Sequence, residues 1–225
     1  AEGVLGQIRV VQVEYAQDWL TEDLEATGQK QASWRTDPAR AGAGGCLGDI
    51  GTHAFHLAGF VSGMQPAELA AELTTFVAGR RLDDNVHVLL RYASGARGML
   101  WASQVAPGNE NNLKLRVYGT KAGIEWRQEQ PNVLRLSRFG GASEVIGRAT
   151  AAVGPAGRRV TRVPAGHPEG YIEAFATIYS EVAAAIRGEA DEAVTFPGLE
   201  DGIAGLAFIE TAVRSSRQGA KWVEL

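Results

Sequence analysis

The sequence predicts an α+β fold: an open, predominantly antiparallel sheet with helices packed on one face. Three observations predict it. Period-2 alternation runs from about residue 68 to 138, one helical segment precedes that run, and two helical stripes follow it. Strand, helix, strand run, helix, helix is not the βαβαβ order of a nucleotide-binding fold. The chain has 225 residues, read here as a single domain over 1–225. Hydrophobic residues make up 45% and charged residues 21%, enough for a full core and too apolar for global disorder.

The elements follow in order. At 8–15, Ile8, Val10, Gln12 and Glu14 alternate with Arg9, Val11, Val13 and Tyr15, and the second set is one apolar face of a strand. Residues 20–43 are polar and punctuated by Gly and Pro, and read as a long loop; loops of that length are often functional. Residues 44–63, GGCLGDIGTHAFHLAGFVSG, read as a helix ending near Gly63. Val86 to Tyr92, Gly98 to Ser103, Leu113 to Tyr118, Ile124 to Trp126 and Val133 to Arg138 alternate with short turns between them, which predicts a meander. Residues 139–166 read as loop with a short strand at Arg159–Val163. Tyr171, Phe175, Ile178, Val182 and Ile186 have helical spacing, with Pro168 near the start and Gly188 at the stop. Leu199, Ile203, Leu206, Ile209 and Val213 form a second stripe between Pro197 and Gly219, and Trp222–Leu225 ends the chain as a strand.

Charge and composition exclude several classes. The net charge is −4, and Lys occurs only at Lys30, Lys114, Lys121 and Lys221, so no broad basic surface invites nucleic acid. No run of 18 apolar residues exists to cross a membrane as a helix. The first residues lack the basic start and apolar block of a signal peptide. The single Cys46 forms no internal disulfide, which fits a reducing, cytoplasmic setting. The strand begins almost at once, so the chain is expected to be cut from something longer.

Gly42 to Gly48 is glycine-rich like a dinucleotide fingerprint, but Trp34 to Arg40 before it is not a strand, and the spacing is one residue too long. Asp49 and His53 are four apart, on one helix face, with His56 near the same line. Three readings fit that spacing: an acid favoured by the helix dipole and bonded to a His, part of a metal site lacking a third partner, or a catalytic pair whose imidazole moves a proton. Gly48 and Gly51 flank the acid, and each forgoes roughly 1 kcal/mol of helix propensity against Ala. Missing side chains leave room for a packed strand or for a ligand. His167-Pro168-Glu169-Gly170-Tyr171 reads as a helix start, with His167 or Tyr171 able to reach a polar substrate. Gln17-Asp18-Trp19 ends the first strand; an aromatic beside polar groups suits a sugar, and Trp19 also suits a core anchor. Trp34-Arg35 adds a further aromatic–cation pair in the long loop, and Gly108 to Asn112 reads as a turn whose amides could reach hydroxyls.

Gly44-Gly45 through Gly48-Asp49-Ile50-Gly51-Thr52-His53 resembles the GG-x-x-x-D-x-G-x-H signature of the glucose–fructose oxidoreductase / inositol dehydrogenase (Gfo/Idh/MocA) family. Leu5-Gly6-Gln7-Ile8, Tyr118-Gly119-Thr120-Lys121, His167 to Tyr171, Glu200-Asp201-Gly202 and Ser215…Gly219…Val223 fall in the family's order, over nearly the whole chain. The resemblance implies an NAD(P)-dependent dehydrogenase of two domains, the first a Rossmann domain with a catalytic Lys in a Glu-Lys-Pro motif. This sequence contains no Glu-Lys-Pro and is similar to the second domain alone. By that resemblance His53 takes the proton of a substrate hydroxyl or shares that role with the Lys. Asp49 orients His53 or bonds substrate. Gly48, Gly51 and Thr52 lie against the nicotinamide of NAD or NADP. Gln17, Trp19, Arg35, His167 and Tyr171 are the expected contacts to a sugar or polyol, in a subgroup similar to anhydrosugar-oxidising members. The outer sheet face is expected to join copies into a homodimer or homotetramer, and the isolated chain to be inactive. The rival expectations are a stand-alone binding or assembly module on the same fold, and a metal enzyme using Asp49, His53 and His56.

Overall fold

A computed structural model describes residues 3–190 and 194–225. Among them are nine strands: β1 (Ile8–Ala16), β2 (Pro66–Thr74), β3 (Asn85–Tyr92), β4 (Arg97–Ser103), β5 (Asn112–Gly119), β6 (Ala122–Arg127), β7 (Val133–Arg138), β8 (Ser143–Gly147) and β9 (Val223–Glu224). The helices are α1 (Lys30–Arg35), α2 (Pro38–Ala41), α3 (Thr52–Ser62), α4 (Pro155–Arg159), α5 (Tyr171–Ile186) and α6 (Leu199–Arg217). The strands form one open sheet in the order β8-β7-β6-β5-β1-β4-β3-β2-β9. The α+β class and the antiparallel character follow the sequence reading.

The meander is broken at its centre. β4 and β5 are consecutive in the chain, yet β1 lies between them, parallel to β4 and antiparallel to β5. Alternation shows which residues share a face, not which strand lies alongside. The inner face is Val11, Val13 and Tyr15 of β1, Val88 and Leu90 of β3, Leu100 of β4, and Leu115 and Val117 of β5, all buried. Helices α3 and α6 cover it, and Phe55 of α3 stacks on Phe208 of α6 with ring centroids 4.3 Å apart. Gly63 stops α3 at φ +69°, a left-handed conformation that suits glycine. At the sheet's edge Ser215 Oγ of α6 accepts the Ala71 N–H of β2 and donates to the Lys221 carbonyl, which guides the chain into β9.

Three segments differ from the sequence reading. The stretch 20–43 is not one loop: α1 and α2 lie in it, after a short 3-10 turn at Glu25–Thr27. The Asp37 side chain caps α2 by accepting the Ala39 N–H, with Pro38 in the first turn. No strand forms at 159–163; β8 lies earlier and α4 begins at Pro155. The apolar stripe of α5 is not core: Tyr171, Phe175 and Ile186 are exposed, as are Leu199, Ile203 and Leu206 at the start of α6. The buried face of α6 is Phe208, Thr211, Ala212, Val213 and Ser215, so of the expected stripe Val213 is core and Ile209 packs against it.

Candidate active site

The C-terminal ends of the parallel pair β1 and β4 lie beside the N-terminal end of β5 and the start of α3. Backbone bonds tie these ends together: Gln17 N–H to the Ser103 carbonyl, Leu20 N–H to Gln104, and Ala106 N–H to Gln17. Loops leaving such strand ends commonly gather a site on a rigid scaffold.

Asp49 sits in a π-turn, Leu47–Gly51, closed by the Thr52 N–H bonding to the Leu47 carbonyl. Such turns inside helices recur at functional sites. Both Asp49 oxygens accept from Arg35 Nε at 3.1 Å, and Oδ2 also accepts from Gln104 Nε2 at 2.7 Å. Among the described residues no hydrogen bond joins Asp49 to His53. The carboxylate is instead bonded by a guanidinium and an amide. His53 is exposed, and its ring meets the edge of Tyr15 with centroids 6.1 Å apart.

The predicted sugar contacts on the first strand's end form a chain of hydrogen bonds. Trp19 Nε1 donates to Gln17 Oε1 at 3.0 Å, Gln17 Nε2 donates to Asn111 Oδ1 at 3.1 Å, and Tyr15 Oη donates to the same Asn111 oxygen at 2.6 Å. The Arg35 guanidinium lies over Trp34 at 4.2 Å and near Trp19 at 6.0 Å. Arg35 thus bridges the tryptophans and Asp49, and the two expected pairs become one surface. Burial pushes the Tyr15 hydroxyl above its ordinary pKa; the neighbouring amides Gln128 and Gln17 pull it partly back, while the charges of Asp49 and Tyr171 add to the rise.

The glycines divide by role. A Cβ on Gly45 would lie 2.3 Å from the Asp83 carbonyl oxygen, so close approach of the chain demands glycine there. A Cβ on Gly51 would meet Leu47 and Ala102 at 3.3 and 3.9 Å. Gly51 is buried toward the sheet, and its small size serves packing there. Gly48 is half-buried, and its added Cβ would meet only Ile209, at the ordinary distance of 3.9 Å. Thr52 Oγ1 donates to the Gly48 carbonyl. Thr52 and His53 open onto a cleft of about 360 Å³ between α3 and α6, also lined by His56, Asp201, Gly202 and Ile209. His56 Nε2 lies 3.6 Å from Asp201 Oδ1, so its partner is on α6 and not Asp49.

Tyr171 is exposed at the head of α5 and lies near enough to Tyr15 to influence it. His167 is exposed, and its imidazole makes no hydrogen bond among the described residues. Its loop is held by Arg148, which bonds the Val163 and Pro164 carbonyls and the Glu169 carboxylate. The sequence reading missed Tyr15, taken as core by alternation, and Gln104. The available signal for Gln104 was an uncharged polar pair, Ser103-Gln104, where an apolar strand ends.

Fold and site together define an α+β domain with a polar, aromatic-lined surface at its strand ends. The family model described as the GFO/IDH/MocA C-terminal domain matches residues 1–125, and the chain belongs to that family. It is similar to an oxidoreductase of Sinorhizobium meliloti, 48% identical with a TM-score of 0.85 over 98% of this chain and 58% of that one. It is also similar to an inositol dehydrogenase homolog of Azotobacter vinelandii complexed with NAD+, 34% identical with a TM-score of 0.93 over 100% of this chain and 59% of that one. An uncharacterized oxidoreductase of Bacillus subtilis, YfiI, is 35% identical over 99% of this chain. The chain spans about 59% of the length of that curated relative.

Proposed function

We propose that this chain is the substrate-binding and oligomerisation part of an NAD(P)-dependent oxidoreductase that acts on a sugar or polyol hydroxyl. The observation that carries the reading is the connected surface of Gln17, Trp19, Arg35, Asp49 and Asn111 beside the exposed His53. Amide and carboxylate groups suit hydroxyls, and an indole face suits the C–H face of a sugar ring. The S. meliloti and A. vinelandii proteins support the reading, as does an inositol dehydrogenase homolog from A. vinelandii complexed with NADH and myo-inositol, 32% identical to this chain. Levoglucosan dehydrogenase, in complex with NADH and levoglucosan, has the same fold at 26% identity.

In this reading His53 accepts the proton of the substrate hydroxyl as the carbinol is oxidised to a carbonyl. Arg35 and Gln104 fix Asp49 so that its remaining lone pairs face a substrate hydroxyl. Trp19 and Gln17 orient the ring, and Tyr171 and His167 are the further expected contacts. The open side of Gly48 and the neighbouring Thr52 fit a flat ring, and these residues would hold the nicotinamide edge. When bound, nicotinamide supplies a hydride acceptor. This chain gives one wall of the cleft, so it is inactive alone. Leu89, Tyr118 and Val145 are exposed on the outer sheet face, which supports self-association there into a dimer or tetramer. No helix among the described residues is long and apolar enough to cross a membrane.

The test is NADH formation from NAD+ across a panel of polyols, aldoses and anhydrosugars. The full-length protein is expected to turn over at least one of them, and the 225-residue chain none. Turnover by the chain alone, or none by the full-length protein on any compound, overturns the proposal.

A further inference from the structure

Two adjacent acids at the head of β3, Asp83 and Asp84, are 7% and 0% exposed. Buried carboxylates persist when their oxygens are fully bonded. Both are, and their partners lead to two different walls of the candidate site. The Asp83 carboxylate accepts the Gly45 N–H at 2.7 Å and the Leu47 N–H at 2.8 Å, and its backbone carbonyl accepts the Cys46 N–H at 2.8 Å. Three successive N–H groups entering the Asp49 turn are thus held by one residue. Burial pushes the Asp83 carboxyl up, and the Leu47 and Gly45 bonds pull it back.

The Asp84 carboxylate accepts the Phe76 and Val77 N–H groups and Arg80 Nη1 at 3.1 Å. Arg80 is itself buried, and reaches the Leu20 and Glu22 carbonyls and the Glu25 carboxylate. The Asp84 carbonyl accepts the Gln104 N–H at 2.9 Å, and Gln104 is the residue whose amide bonds Asp49. The Gln104 carbonyl in turn accepts the Leu20 N–H, next to Trp19.

We infer that Asp83 and Asp84 are a pair of positioning residues: one fixes the Gly45–Leu47 turn that presents Asp49, the other fixes Gln104 and the 20–25 segment beside Trp19. Neither touches the substrate surface. The inference rests on the proposed hydroxyl oxidation for its kinetic readout, while its structural readout is independent. An acid is needed at 83 because two N–H donors converge on it; an Asn would turn its own NH2 toward one of them.

The test uses the full-length protein, with Asp83→Asn and Arg80→Gln. Amide hydrogen exchange and steady-state kinetics are measured on each. Asp83→Asn is expected to speed exchange at 44–51 by about tenfold or more, with β5–β7 unchanged, and to lower kcat by about tenfold with KM for the cofactor little changed. Arg80→Gln is expected to loosen 20–28 and act chiefly on KM for the polyol, and Arg80→Lys to restore part of that loss. Wild-type exchange at 44–51, or loosened exchange with wild-type kcat and KM, overturns the inference. If Asp83→Asn does not fold, the Arg80 pair decides: wild-type exchange at 20–28 in Arg80→Gln overturns it. Absence of turnover in the unmutated protein counts against the proposed function, and the exchange patterns then judge the clamp alone.

Discussion

Helices α3 and α5 carry apolar residues at helical spacing, and they meet different fates. α3 buries Ala54, Phe55 and Ala58 against the sheet and α6. α5 has the longer and more regular stripe, yet its only buried residue is Glu181, which accepts Arg159 at 2.6 Å. Tyr171, Phe175 and Tyr179 instead form a ladder of rings along an open face, with centroids 4.8 and 6.2 Å apart. Apolar periodicity states that a face needs cover, not which partner supplies it. The weak, glycine-broken α3 is core because Asp83 and the sheet hold its start; the strong α5 lies outside the core of this chain.

The comparison can be broken first at α6. Phe208→Ala removes the stacked partner of Phe55 and should cost about 3–5 kcal/mol in urea unfolding of the 225-residue chain. A loss below about 1 kcal/mol would mean that the α3–α6 contact is not the core it looks to be. Ser215→Ala strips the buried Ala71 N–H of its acceptor and should cost about 1–3 kcal/mol by the same measurement.

A pH dependence sharpens the picture at the 20–28 segment. The hydrogen bond from Arg80 holds the Glu25 carboxyl below its ordinary pKa. The folded value lies below the unfolded one, so the stabilisation is present above the ordinary Glu range and is lost as pH falls through the folded value. Glu25→Gln should flatten that part of the stability–pH curve; an unchanged acid limb would show that the pair contributes nothing. The smallest effect belongs to α5: Tyr179→Ser should change stability of this chain by less than about 0.5 kcal/mol. A larger loss would show α5 packed in solution, and would erase the contrast with α3.

Much of the fold was legible because its strands alternate cleanly. Val11, Val13 and Tyr15 marked the inner face of β1, and Gly63, Gly188 and Gly219 marked helix ends. The place of β1 between β4 and β5 was not legible, because long-range pairing leaves no period in a sequence. The Asp37-Pro38 start of α2 carried a readable signal that the polar composition of 20–43 masked. Gln17, Trp19, Arg35 and Asp49 stood out by residue type and position, and the structure brings them together. Their connections were not: Gln104 and Asp83 act across 55 and 36–38 residues of sequence, a spacing that no local pattern reports. The glycines left packing and ligand room as alternatives, and the structure shows chain packing at Gly45 and Gly51 and an open side at Gly48.

The central claim is that this chain supplies the proton acceptor for oxidation of a polyol or sugar hydroxyl. It is tested most directly by His53→Ala in the full-length protein, with kcat measured beside cofactor affinity. The account predicts a fall in kcat of about 10²–10⁴-fold, with cofactor Kd unchanged within about a factor of two. Turnover at the unmutated rate would contradict it.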